Sequence, residues 1–206
     1  MKKNYNIKDL SQLNSYTLIA HSQDTMFKKG ISERVKMIGG FSYKGFEYVY
    51  HQGKNDKIYL FVTLYFEIVS APHKLKGKKK TKREKYTLAV KFPYIQGMKK
   101  LEKLMDVPVE LFSSDPSFLF FFAYALNKKN AVIKDHPKYT DWLGSALTKK
   151  PNKNNPNLRT ELTKHFYKVL QFLRTQSPSK YLDERYLTSV SKITFPNKQQ
   201  MKKLKK

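Results

Sequence analysis

The 206-residue chain contains no cysteine. Disulfide bonds and thiolate metal ligands are therefore excluded, because both need a cysteine sulfur. Long apolar runs are missing as well, since the longest, Phe118 to Leu126, is far shorter than the roughly 20 residues that span a bilayer. The charged start, Met1 to Asp9, is not followed by an apolar block and does not resemble a signal peptide. The sequence predicts a soluble protein without a membrane-spanning helix.

Acidic residues are few, with 16 Asp and Glu against 41 Lys and Arg. The formal net charge is +25 and the sequence pI is near 10.0. A chain of this charge repels itself unless its partners are acidic. Nucleic acid, an anionic membrane surface and an acidic protein assembly are the partners that the charge favours, and charge alone does not choose among them. Lysines that are merely solvated are the alternative interpretation.

Sequence motifs of catalysis are also lacking. Gly39-Gly40 and Gly45 form neither a dinucleotide fingerprint nor a Walker loop, and the five histidines show no His-Glu-x-x-His spacing. The carboxylates show no paired arrangement typical of a general acid and base. Ser113 or Ser114 could meet His165 as nucleophile and base, but no nucleophile elbow surrounds either serine. The sequence predicts a protein that is not an enzyme and holds no metal and no cofactor.

The composition predicts a folded chain in three parts. Hydrophobic residues make up 40% and aromatic residues 14%, which is enough apolar surface to offset the entropy of ordering the backbone. We expect an N-terminal arm at 1–30, a single domain at 31–196 and a basic C-terminal tail at 197–206. The predicted fold class is α+β, an antiparallel β-sheet with a long basic hairpin, packed on two to four helices.

Alternating and β-branched runs predict the strands. Two such runs flank Gly39-Gly40, which predicts a hairpin there. Lys57 to Val69 is almost wholly apolar after a polar turn and predicts a central strand covered on both faces. Tyr86 to Phe92 predicts the strand that follows. One more β-prone stretch, Thr188 to Phe195, lies near the C-terminus.

Lysines dominate the connection between the central strand and its successor, and they recur in the tail. The connection is predicted to be a long hairpin tip that contacts an acidic partner or nucleic acid, with a merely solvated tip as the alternative. The predicted contact residues are Lys76, Lys78, Lys79, Lys80, Lys82, Arg83, Lys202, Lys203, Lys205 and Lys206.

Capping signals and helical spacing predict the second half of the domain. Asp115-Pro116 predicts a cap and a first helical residue, so that Ser117 to Leu126 forms an aromatic helix. Apolar residues at helical spacing predict a core-facing helix over Leu158 to Leu173. Trp142 is the predicted anchor of the long polar excursion between these two helices.

Two segments of this half carry a resemblance to a known family. Val109 to Tyr124 reads VELFSSDPSFLFFFAY, and Asn155 to Phe166 reads NPNLRTELTKHF. They resemble the SWIM-like module of tailed-phage structural proteins, in which a strand runs into Cys-Ser-Cys-Pro and a later Asn-Pro segment ends in Leu-Cys-Lys-His. In that family the three cysteines and the histidine hold zinc. The resemblance covers about residues 107–175.

The four zinc-ligand positions fall on Ser113, Asp115, Thr163 and His165, and only His165 keeps the ligand type. The chain therefore looks like a degenerate form of the module, whose site we expect to hold no metal. In place of the ion, we expect Ser113 or Asp115 to cap the aromatic helix while Thr163 and His165 hydrogen-bond to the same turn.

The resemblance implies a structural or assembly protein of a phage virion, in the head, neck, tail or baseplate. Its basic surface would dock on acidic virion proteins or packaged DNA, in multiple copies per particle, after assembly in the host cytoplasm. The alternative is a free basic nucleic-acid-binding protein of phage infection, with aromatic side chains as a stacking platform on the sheet. Those side chains are Tyr43, Phe46, Tyr48, Tyr50, Tyr59 and Tyr65.

Overall fold

The structure, a computed structural model, describes residues 10–52, 58–74, 81–93, 105–136, 139–140, 143–151 and 153–176. These residues form a four-stranded antiparallel sheet, a separate two-stranded sheet and four α-helices, so the predicted α+β class is confirmed. The strands are β1 (Ile38–Gln52), β2 (Ile58–Ser70), β3 (His73–Lys74), β4 (Thr81–Lys82), β5 (Lys85–Pro93) and β6 (Glu110–Ser113). The helices are α1 (Ser15–His21), α2 (Ile31–Val35), α3 (Ala123–Lys128), which continues a π-helical turn at Phe118–Phe122, and α4 (Lys164–Thr175). A short 3-10 helix spans Gly144–Leu147.

The sheet has the order β1-β2-β5-β6. Every residue from Phe61 to Phe66 of β2 is buried, which confirms a central strand covered on both faces. The hairpin that joins β2 to β5 continues through the β3–β4 pair, as the basic run predicted. Its tip lies outside the described residues.

The hairpin predicted at Gly39-Gly40 is wrong, because both glycines lie inside the continuous strand β1. A register shift occurs between Ile38 and Gly40 where β1 pairs with β2. A Cβ on Gly39 would stand 2.6 Å from the Ser70 carbonyl oxygen. The glycine is therefore needed for close approach of two backbones rather than for a turn. Strands β1 and β2 pair as far as Gln52 opposite Ile58, and residues 53–57 between them lie outside the described residues.

Substituting Gly39→Ala is expected to lower the free energy of unfolding by about 1–3 kcal/mol, because the added methyl group must displace the backbone of the neighbouring strand. Urea denaturation measures this change. Gly40→Ala is the matched control in the same strand, since a Cβ there makes only ordinary contacts of 3.6 Å or more with the Val69 side chain, and its effect should stay within about 0.5 kcal/mol. Equal effects of the two substitutions would contradict the assigned close approach.

Helix α4 packs against one face of the sheet. Its buried residues include Phe166, Val169, Leu170 and Leu173, which confirms the predicted core-facing stripe. The Phe172 ring lies 4.7 Å from the Phe41 ring of β1, centroid to centroid. The C-terminal end of the helix therefore lies over the first part of that strand.

The predicted start of this helix at Leu158 is wrong, since the helix begins at Lys164. Leu158 has a φ of 51°, in the left-handed region that does not continue an α-helix. The Asn155 side chain also accepts from the Arg159 amide and donates to the Arg159 carbonyl, and a helix from Leu158 would have needed that carbonyl as the acceptor for the Thr163 amide. The apolar spacing continues through this segment although its backbone is not helical.

The described part of the predicted N-terminal arm, 10–30, is tied to the segment before α4. The Leu162 amide donates to Ser22 Oγ at 2.8 Å, and the Met26 amide donates to Glu161 Oε1 at 2.8 Å. Helix α1 begins after its Asn14 cap, and residues 1–9 lie outside the described residues. Trp142, the stretch Thr188 to Phe195 and the tail 197–206 also lie outside them. None of the helices in the described part of the chain is long and apolar enough to cross a membrane.

Candidate functional site

The turn that follows β6 is fixed by side-chain hydrogen bonds. The Asp115 amide donates to Ser113 Oγ at 3.0 Å, and the Ser117 amide donates to Asp115 Oδ1 at 2.9 Å. Ser114 and Thr87 of β5 exchange two further bonds, each of 3.0 Å. Asp115 therefore caps the aromatic helix, as its position before a proline predicted.

Helix α4 reaches the same turn through its first residues. His165 Nδ1 lies 2.7 Å from Asp115 Oδ2, which joins two segments 50 residues apart in the sequence. Thr163 is the N-cap of α4, and its Oγ1 accepts from the Phe166 amide at 3.4 Å. The contact expected between Thr163 and the turn is thus replaced by a cap on its own helix, whereas the contact expected of His165 is present.

The four residues that match zinc-ligand positions of the resembled family are all buried. The exposed fractions are 0% for Ser113, 4% for Asp115, 2% for Thr163 and 2% for His165. Because the imidazole Nδ1–H points at a carboxylate that water does not reach, the hydrogen bond is charge-assisted in a region of low dielectric constant. His165 Nε2 is buried too and has no hydrogen-bond partner among the described residues. A general base needs access to its substrate, and this nitrogen is closed off.

Two groups around this pair have shifted pKa values. The Tyr86 ring lies 5.1 Å from the His165 imidazole, and burial raises the pKa of the Tyr86 hydroxyl well above its ordinary value. Burial lowers the pKa of the Lys164 ammonium, and the nearby Asp115 carboxylate partly offsets that effect. The Arg34 guanidinium adds to the lowering of the Lys164 pKa. The Asp115 carboxylate is therefore the local counter-charge for a cationic neighbourhood.

The Asn-Pro segment of the resemblance joins this corner through Asn155, which is fully buried. Its Nδ2 donates to the Phe121 carbonyl at 2.9 Å and to the Arg159 carbonyl at 2.8 Å. Phe121 belongs to the π-helical turn, where the usual i to i+4 pattern of the helix is interrupted. The amide side chain thus links the loop before α4 to the aromatic helix. Both motif segments therefore meet in one corner, which we call the Asp115–His165 corner.

The donor set of this corner differs from a structural zinc site. Within the described ranges, no group of three or more His, Cys, Asp and Glu side chains could hold a metal ion. Only Asp115 and His165 among these four residues have side chains of those types, and the two are hydrogen-bonded to each other. The hydroxyls of Ser113 and Thr163 are weak ligands that do not replace thiolates.

Only two of the predicted contact residues, Lys82 and Arg83, lie within the described residues. Arg83 is exposed beside the β3–β4 pair, and Lys82 lies in β4. The remaining predicted contacts lie outside the described residues, namely Lys76, Lys78, Lys79, Lys80, Lys202, Lys203, Lys205 and Lys206. The stacking platform of the alternative function is reduced, because Phe46 and Tyr65 are fully buried and cannot stack on a base.

The opposite sheet face carries a polar row that sequence reasoning missed. Glu47 is opposite Thr63, Thr63 is opposite Lys91, and Lys91 is opposite Glu110, so four strands contribute one residue each. The Lys91 side chain is only 2% exposed, and its Nζ lies 3.4 Å from Glu110 Oε2 and 2.9 Å from Asp135 Oδ2. The sequence signal for this row is Lys91 itself, a charged residue within the apolar run of β5. Its partners are 19 and 44 residues away in the sequence, so local residue spacing does not predict the contacts.

Contacts with this polar row and its neighbours hold Asp135, His136 and Tyr139 over the sheet. Asp135 bonds Lys91, the His136 ring stacks on Tyr139 at 4.1 Å, and the Tyr139 ring stacks on Phe112 at 3.5 Å. The Tyr65 hydroxyl donates to the Glu47 carboxylate beside them. Removing one partner of a buried ion pair lowers the stability of the folded protein strongly, because the other charge stays buried without compensation. Such a pair also favours one arrangement of the residues that it joins. We assign the row a structural role.

Comparison with known proteins returns no match, whether to a protein-family model, to a curated protein or to a solved structure. The resemblance to the SWIM-like module therefore rests on the two motif segments of the sequence.

Proposed function

We propose that the chain is a non-catalytic structural or assembly protein of a tailed-phage virion, built on a metal-free form of the SWIM-like module. The observation that carries the proposal is the 2.7 Å contact between Asp115 and His165. These two residues stand at zinc-ligand positions of the resembled family. Their contact supports the alignment of two motif segments that were matched separately in the sequence.

The physical basis of the proposal is a replacement of one cross-link by another. Structural zinc contributes on the order of 10 kcal/mol to the folding of small domains, whereas a hydrogen bond to a charged group contributes about 1.5–3 kcal/mol. The hydrogen bond supplies less stabilisation than zinc would, so the difference has to come from apolar packing. Three phenylalanine side chains around the corner are fully buried, namely Phe118, Phe122 and Phe166. The corner then serves as a rigid base for the rest of the chain.

The docking surface in this proposal is the basic hairpin together with the basic tail. A net charge of +25 favours acidic surfaces of neighbouring virion proteins, and packaged DNA is a further polyanion in the same particle. The proposed location is the virion, with the host cytoplasm as the site of assembly, and with multiple copies in each particle.

Quantitative mass spectrometry of purified particles tests this proposal. The chain is expected at a fixed copy number relative to the major capsid protein in every preparation, because specific docking fills a defined set of equivalent sites in a symmetric particle. Absence from the particles, or a copy number that varies from one preparation to the next, would show a free polyanion-binding protein instead.

The hairpin is expected to be required for incorporation into particles. Replacing Lys76, Lys78, Lys79, Lys80, Lys82 and Arg83 by alanine should lower the copy number at least tenfold, since it removes six positive charges from one surface. A control removes six exposed lysines elsewhere, at Lys28, Lys29, Lys36, Lys149, Lys150 and Lys153. Equal losses in both variants would mean that total charge rather than the hairpin directs docking.

A further inference from the structure

The two edges of the sheet are unequal. At one edge, β6 has four residues, and residues 131–133 cover it through bonds from the Leu111 amide to the Ala131 carbonyl and from the Ile133 amide to the Leu111 carbonyl. At the other edge, β1 has 15 residues and pairs along one side with β2. No described strand pairs with its outer side. A long open edge can recruit another strand or lead to aggregation.

Irregularities interrupt only the first part of β1. Register shifts occur between Ile38 and Gly40 and between Tyr43 and Gly45. From Phe46 to Gln52 the pairing with β2 is unbroken. Bulges are a device that protects an edge, so the first part has this protection and the second part lacks it. Phe46 to Gln52 is therefore the part of the edge that suits an added strand.

A segment of the same chain suits this edge in sequence and in reach. Thr188 to Phe195 is rich in β-branched residues and contains neither proline nor glycine. Helix α4 ends at Thr175, next to the Phe172 contact with Phe41 of β1. The twelve residues 176–187 can span about 40 Å when extended, and β1 itself is about 50 Å long. The segment can thus reach Phe46 to Gln52.

We propose that residues 188–195 add a fifth strand to the outer edge of β1 over Phe46 to Gln52. A tethered segment is present at millimolar effective concentration, which favours it over a strand from another molecule. Pairing with a second copy would also bring together two chains that each carry a charge of +25. The proposal is independent of the virion function, since it concerns the fold of the isolated chain.

Hydrogen exchange of the full-length protein tests the added strand. The amides of Phe46 to Gln52 that point away from β2, about one residue in two, are expected to exchange on the order of tenfold faster or more in the variant Val190→Pro with Ile193→Pro, because proline cannot donate to a ladder. The control is Lys202→Pro with Lys203→Pro, which should leave this exchange unchanged. Equal exchange in the wild type and the Val190→Pro, Ile193→Pro variant would overturn the proposal.

Cysteine cross-linking tests the same pairing without a folding defect. The chain has no native cysteine, so Val49→Cys can be combined with one cysteine at each position from 188 to 195 in turn. Neighbouring strands bring Cα atoms within disulfide range, so at least one pair should close inside the monomer on oxidation. If no pair closes, or if only covalent dimers form, the assignment of this occupant is wrong.

Discussion

Replacing Asp115 by alanine is expected to lower the free energy of unfolding by about 3–5 kcal/mol. The substitution removes the cap of the aromatic helix, which is the bond from the Ser117 amide, and leaves the His165 imidazole buried without its partner. Urea denaturation of the purified protein measures the change. His165→Ala should cost a similar amount, since it leaves Oδ2 of the buried Asp115 carboxylate without its hydrogen-bond donor.

The double variant and an exposed control make this result specific. If the two residues act through one bond, the double variant should lose about 1.5–3 kcal/mol less than the sum of the single losses. Asp24→Ala is the matched control, because Asp24 also pairs with a basic side chain, Arg159 at 2.6 Å, but is 91% exposed. Its effect should be much smaller. Additive losses, or an Asp115 variant as mild as the Asp24 variant, would show that the corner does not depend on this bond.

Restoring cysteine at the three positions where the resembled family has cysteine ligands is expected to create a zinc site together with His165. Ser113→Cys, Asp115→Cys and Thr163→Cys would supply three thiolates beside His165. Zinc should then bind one per chain with nanomolar or tighter affinity and should raise the thermal midpoint, because metal binding is coupled to the folded state. Competition with a chromophoric chelator measures the affinity.

Two controls separate a built site from loose thiolates. Adding His165→Ala to the triple-cysteine variant should weaken zinc binding by at least tenfold. A second triple variant places cysteines at the exposed positions Ser32, Ser145 and Thr148, and it should bind zinc weakly and without a change in the midpoint. Equal affinity in the two triple variants would remove the main structural support for the resemblance to the SWIM-like module.

Local signals in the sequence were sufficient for several elements. The apolar run at Lys57 to Val69 predicted the central strand, and Asp115-Pro116 predicted the cap and start of the aromatic helix. Each of these features depends on residues that are adjacent in the chain. The meeting of Asp115 with His165 is not local, and it was anticipated through the resemblance rather than through spacing.

Long-range contacts account for what could not be predicted. The local sequence around Gly39 predicts a turn. Its observed role depends instead on the Ser70 carbonyl of the neighbouring strand, which is distant in the sequence. The apolar spacing predicts a start of α4 that is too early. It carries no information on the hydrogen bonds between the Asn155 side chain and the Arg159 backbone, which keep this segment out of the helix. The ion pair of Lys91 with Glu110 depends on strand register, which no single segment of sequence determines.

Metal content of the native protein tests most directly whether an Asp–His bond has replaced zinc in this corner. The protein is purified without chelator from cells grown with added zinc, its metals are measured by mass spectrometry, and its thermal midpoint is compared with and without a strong chelator. We expect no stoichiometric zinc and an unchanged midpoint. One zinc per chain, with a midpoint that falls when the chelator removes it, would contradict the account.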